Sequence, residues 1–135
     1  MKLNYDCLRA LLLAVEDHEY IDSSLKISEL WHSDLLELPS LKAFDKNEIT
    51  YAAMIAIEAN LIQGKFQASN EEVDYLYIMR LTSDGHTFIE SIRPERVWNV
   101  ISAFGEDIGT MSIDIIKETA PQVLAEMWQF HSIEE

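Results

Sequence analysis

The chain has 135 residues, 48% of them apolar, with 24 acidic and 10 basic residues and a formal net charge of −14. One domain over residues 1–135 is expected, since a chain this long buries roughly two-thirds of its unfolded surface, and the apolar content excludes disorder. No run of 18 apolar residues offers a membrane span, no basic-then-apolar pattern marks a leader, and Cys7 has no second cysteine to pair with, so a cytoplasmic protein is expected.

The acid is unevenly spread. Residues 1–41 carry 3 basic and 8 acidic residues, residues 42–96 carry 6 and 9, and residues 97–135 carry 1 and 7. A field of this sign repels nucleic acid and anionic lipid and favours basic partners. Acidity also simply keeps a small protein soluble, and both readings stay open.

In chain order, Leu8, Leu11, Leu12 and Val15 recur at the spacing of one buried helix face, which predicts a helix over 5–19 capped by Asn4. Cys7 falls beside this face and is read as a buried structural thiol. Residues 21–41 are apolar without a clean period. They are read as a short strand around 26–30, then an irregular stretch ended by Pro39. Asp45 and Glu48 have the spacing of a capping box and open a helix running to about Asn60. Ile49, Ala53, Ala56 and Ile57 form its inward stripe, and Asn60 suits a left-handed terminus. Residues 61–66 and 73–81 read as two strands joined by a polar loop over 67–72. Thr82 caps a helix with Phe88, Ile89 and Ile92 on its apolar face. Pro94 opens another over 95–104, with Val97, Trp98, Ile101 and Phe104 inward. Gly105 and Gly109 bracket a turn, and a last helical region over 112–130 is kinked or split at Pro121. A polar-looped hairpin directly after a helix has the form of a wing. The expected fold is therefore α+β, mostly helical, with a winged-helix-like core over about 4–92 and a helical extension over about 95–131.

Three blocks carry a family resemblance. They are Asp6 to Leu12, Ile49 to Gly64, and Arg80 to Ile89 followed by Arg93 and Trp98. Together they resemble the domain of unknown function 2513 family, small bacterial and phage proteins, over roughly residues 4–120. The resemblance implies a winged-helix core and a prophage setting, and no established activity. Its signature positions are Thr82, Gly85, His86, Phe88, Arg93 and Trp98. Two positions depart from the family pattern: Ala52 stands where His is common, and Asn60 where Gly is usual.

Function is read from surfaces, because a fold alone does not assign one. The outward face of helix 46–59 should be Lys46, Asn47, Thr50, Tyr51, Met54 and Glu58. Base reading uses Arg, Lys, Asn and Gln, and only the first two positions supply such groups. The wing carries Glu71, Glu72 and Asp74, so duplex DNA is the weaker expectation and would need a dimer to pool basic residues. A protein partner is favoured, either a host or phage protein of basic character or a second copy meeting the C-terminal helices at Val123, Leu124, Met127, Trp128 and Phe130. Packing of that stretch on the core is the plainer alternative. A sharper form treats Glu16, Asp17, Glu19 and Asp22, or Glu106, Asp107, Asp114 and Glu118, as a DNA-mimicking surface, against the plain reading of solvated helix faces. No nucleophile–base pair or zinc spacing is recognisable, so no enzyme, cofactor or metal is expected. His86 reads as a capping or packing residue, Trp98 as core, and Arg93 as a partner of Glu90 or Glu95.

Overall fold

The computed structural model describes residues 1–134, with side chains described for residues 1–131. The fold is α+β, mostly helical, with one small three-stranded antiparallel sheet. The chain forms two compact units, Met1–Thr87 and a second from Phe88 onward.

In the first unit, α1 (Tyr5–Asp17) buries Cys7, Leu8, Leu11, Leu12 and Val15. Asn4 caps it, its Oδ1 accepting from the Cys7 amide at 3.1 Å. Residues 18–29 form an irregular hairpin. Asp22 accepts there from the Ser24 and Lys26 amides at 2.8 and 3.0 Å, and Ile21 bridges Ile27. The strand expected around 26–30 lies later, as β1 (Leu30–Trp31). It is followed not by irregular chain but by α2 (His32–Leu36) and a 3₁₀ turn, Pro39–Leu41. The missing period now has a cause. Leu30, Leu35 and Leu41 are each buried from a different short element, so no single helical or strand repeat links them.

The third helix, α3 (Lys46–Glu58), starts at the expected capping box, with Glu48 Oε1 accepting from the Asp45 amide at 3.1 Å. It packs on α1, α2 and β2 and buries Ile49, Ala52, Ala53 and Ala56. Ala52, which stands where the family commonly has His, is fully buried, so this departure lies inside the protein and not on the outward face of α3. The helix ends in a Schellman motif. Asn60 takes φ 59°, its amide donates to Ile57 O at 3.1 Å, and the Leu61 amide donates to Ala56 O at 2.9 Å.

Strands β2 (Ile62–Ser69) and β3 (Glu72–Leu81) pair antiparallel, and the sheet order is β1-β3-β2. The polar loop expected over 67–72 is instead mostly strand, closed by the two-residue turn Asn70-Glu71 at φ 50° and 70°. Two positive φ values match the twist of a tight hairpin better than an open loop does. Register shifts at Gln63/Gly64 and Gln67/Ala68 leave one extra β3 residue at each site. They break strict alternation, so Leu76, Ile78 and then Leu81 are buried while Arg80 stays exposed. Glu71 holds a conformation that disfavours a Cβ. Glu71→Gly is expected to stabilise the protein by ~1 kcal/mol, read as a raised denaturation midpoint; a lower midpoint would refute the turn geometry.

Helix α4 (Ser83–Ile92) leads from the first unit into the second, and Phe88, Ile89 and Ile92 are buried as expected. In the second unit, α5 (Glu95–Ile108) and α6 (Ile113–Glu134) pack together, with Val97, Trp98, Ile101, Ile116 and Ala120 buried. Gly105 lies inside α5 rather than in a turn, and the helix ends only at Gly109, where φ is 86°. Phe104 is 56% exposed, so its inward assignment is corrected. Pro121 stands inside α6 without splitting it.

Candidate interaction surface

Five of the six residues expected on the outward face of α3 meet at one place. Lys46, Asn47, Thr50, Tyr51 and Met54 line a shallow depression of about 400 Å³, completed by Met1, His32, Leu36 and Val73. Glu58 is exposed at the far end of α3 and does not line it. Capping places Lys46 and Asn47 in the first turn, exposed, while Thr50, Tyr51 and Met54 follow on the same side and are half-buried. Helix α2 supplies the second wall by packing on α3.

A short relay joins the two helices. The Thr50 hydroxyl donates to the Lys46 carbonyl at 2.8 Å, which leaves its oxygen to accept from His32 Nε2 at 2.7 Å. Burial holds the His32 imidazole below its ordinary pKa, so the ring is neutral near pH 7 and its hydrogen sits on Nε2. His32 had no motif around it in the sequence. The nearest local signal was Asp34, whose carboxylate accepts from the Trp31 amide at 3.2 Å and so starts α2.

At the base of α3, Glu48 ties two helix starts together. Its Oε2 accepts from Asn4 Nδ2 at 2.6 Å, and its Oε1 from the Asp45 amide. The Asn4 bond first, then the Asp45 amide, holds its carboxyl below the usual range. Burial, aided by the Glu48 charge, pushes the Cys7 thiol up to about 11, as a structural thiol requires.

The sheet adds an aromatic row. Trp31 packs on Tyr77 with ring centroids 5.0 Å apart, and Tyr77 stacks with Tyr75 at 6.3 Å. Trp31 remains 48% exposed.

The signature residues fall into two groups. Thr82, Gly85 and His86 belong to the start of α4. Thr82 Oγ1 donates to Asn60 O at 2.6 Å and accepts from the Gly85 amide at 2.9 Å, and the Thr82 amide donates to Leu61 O at 3.0 Å. His86 is exposed. Phe88 and Trp98 are buried, and Arg93 Nη1 pairs with Glu90 Oε2 at 2.9 Å, one of the two partners expected. Among the carboxylates considered for DNA mimicry, Asp22 is engaged in its own turn, while Glu106, Asp107, Asp114 and Glu118 are exposed about the α5–α6 connection. Among the described residues, no three His, Cys, Asp or Glu side chains are grouped to hold a metal ion, and no helix is long and apolar enough to cross a membrane.

The pattern of the family described as hypothetical protein (DUF2513) matches residues 2–112, and the chain belongs to that family. It is also 28% identical over 129 residues to a protein of Haemophilus influenzae (strain ATCC 51907 / DSM 11121 / KW20 / Rd) described as an uncharacterized protein, covering 94% of this chain and 98% of that one. No solved structure matches.

Proposed function

We propose that the first unit is a non-enzymatic winged-helix module that binds a partner protein through the depression over α3. The observation that carries this is the lining. Met1, Leu36, Tyr51, Met54 and Val73 supply most of its wall, and Lys46 adds a cationic side chain. Tyr and Met are favoured where proteins meet. The electrostatics agree, because residues 1–87 hold 7 basic and 15 acidic residues, a field that attracts a basic partner. A cytoplasmic place suits the lone Cys7, and the phage or prophage role implied by the family resemblance belongs to the same reading.

A second reading has one observation in its favour. The order α1, β1, α2, α3, β2, β3 with sheet order β1-β3-β2 supports the winged-helix reading, in which α3 would be the helix that enters the groove. Charge weighs against it. Roughly six to ten phosphate contacts are typical of a specific binder, and here acids outnumber bases on the whole unit.

Two measurements separate the readings. Fluorescence anisotropy with random duplex DNA at low salt is expected to show no binding. Affinity capture is expected to retain a protein partner that Met54→Glu releases, with circular dichroism unchanged. Duplex binding that weakens steeply with salt would move the assignment to a DNA-binding regulator. A partner held equally by Met54→Glu would move the site away from α3.

A further inference from the structure

One face of the sheet is buried through Leu30, Leu76 and Ile78, and the other carries the aromatic row. Leu30 pairs with Ile78 on the inner face, and Trp31 pairs with Tyr77 on the outer one. The Trp31 and Tyr77 rings are tilted by 47°, which opens a wedge between them, and Tyr75 lies beside Tyr77 at an angle of 20°. Paired residues share a face, so Lys65 stands beside Tyr77 and Gln67 beside Tyr75. Lys65 is exposed. Gln67 Oε1 accepts from the Tyr75 hydroxyl at 3.5 Å, which leaves the Gln67 amide hydrogens to donate elsewhere. Arg80, opposite Gln63, is also exposed, and its Nη1 donates to Leu81 O at 2.9 Å. Charge divides along β3. Lys65 and Arg80 lie at and beyond Tyr77, while Glu72 and Asp74, both exposed, lie at the hairpin turn beyond Tyr75. Glu29, exposed as well, precedes Trp31 by two positions. None of the residues of the row lines the depression over α3.

We infer that the row formed by Trp31, Tyr77 and Tyr75 is a docking strip for a proline-rich segment of a partner protein, held as a polyproline II helix with a basic residue at the hairpin-turn end. Three features select that occupant. The first is spacing. A polyproline II helix advances ~6 Å over two residues, and successive ring centroids in the row are 5.0 and 6.3 Å apart. The segment is stiff before it binds, so docking on a row of rings costs it little conformational entropy. The second is hydrogen bonding. Proline has no N–H, and a polyproline II backbone makes no internal hydrogen bonds, so it presents carbonyl acceptors and needs donors. The row supplies them as the Trp31 indole N–H, the Lys65 ammonium and the Gln67 amide. The third is charge. Residues 1–87 hold 7 basic and 15 acidic residues, a field that repels a phosphate backbone and leaves a peptide as the ligand for exposed rings. Glu72 and Asp74 at the turn then attract a basic residue on the flank of that peptide.

Isothermal titration calorimetry on the full chain tests the inference, with decaproline peptides that carry arginine at one end, at the other, or at neither. Wild type is expected to bind an arginine-tailed peptide saturably. Trp31→Ala is expected to weaken that binding ~10-fold or more, as loss of an aromatic anchor does, with circular dichroism unchanged. Lys65→Met, a change at an exposed position that removes a donor and keeps the stem, is expected to weaken tailed and untailed peptides alike. Glu72→Gln with Asp74→Asn is expected to weaken only the tailed peptide. Met54→Glu, in the depression over α3, is expected to leave all of them unchanged. No binding of any of the peptides by wild type overturns the proposal. Binding that survives Trp31→Ala, or that Met54→Glu abolishes, places the peptide elsewhere and overturns it equally. Saturable binding of oligothymidine that Trp31→Ala removes, with no binding of decaproline, overturns it in favour of single-stranded nucleic acid.

Discussion

Trp98→Ala is expected to lower the unfolding free energy by ~3–5 kcal/mol, as truncation of a buried aromatic generally does. Trp98 is 6% exposed and sits on α5 between Val97 and Ile101, all three buried. Phe88, Ile89 and Ile92 of α4 and Ile116 and Ala120 of α6 are buried in the same unit, and Trp98 is the largest side chain among them. Removing it leaves a cavity that neighbours fixed on regular helices refill only in part. Domains of this size are stable by roughly 5–15 kcal/mol, so the loss takes a large share of the total. Urea denaturation followed by circular dichroism checks it, and an unchanged midpoint would refute the core role.

Gly85→Ala is expected to destabilise by ~3 kcal/mol, the upper part of the range for overpacking. Its sign is informative, because two effects oppose each other. Gly85 lies in the first turn of α4, and an alanine in an open helix gains up to ~1 kcal/mol over glycine. Here a Cβ would stand 1.9 Å from the Leu61 carbonyl oxygen, a backbone atom that cannot swing aside. That carbonyl also accepts from the Thr82 amide, so moving it disturbs the cap of the same helix. The steric term should therefore win. A denaturation midpoint above wild type would show that α4 has room at Leu61 and that the close packing is not what requires glycine.

These two positions show different routes from sequence to role. Trp98 was legible from helical spacing with Val97 and Ile101, since burial of a periodic apolar stripe is a local inference. Gly85 belonged to a recognisable block of the family resemblance, but its reason was hidden. The atom it avoids lies 24 positions earlier in the chain, and no local pattern reports that approach.

The same division runs through the rest of the protein. The sequence by itself determined the α+β class, the helix starts at Asn4, Asp45 and Thr82, and the left-handed end at Asn60, because capping and Schellman termini involve neighbours within five residues. It also placed Lys46, Asn47, Thr50, Tyr51 and Met54 on one face of α3. Only the tertiary structure decided what that face becomes. Helix α2, unread in the sequence because the buried leucines of its region, Leu30, Leu35 and Leu41, belong to separate short elements, brings His32 and Leu36 beside it and turns an exposed stripe into an apolar depression. Tertiary structure likewise buried Ala52, exposed Phe104 and shifted the phase of β3 with its bulges. The physical reason is common to all three. Periodicity tells which residues share a side, but only the neighbouring element, brought from far along the chain, decides whether that side meets protein or water.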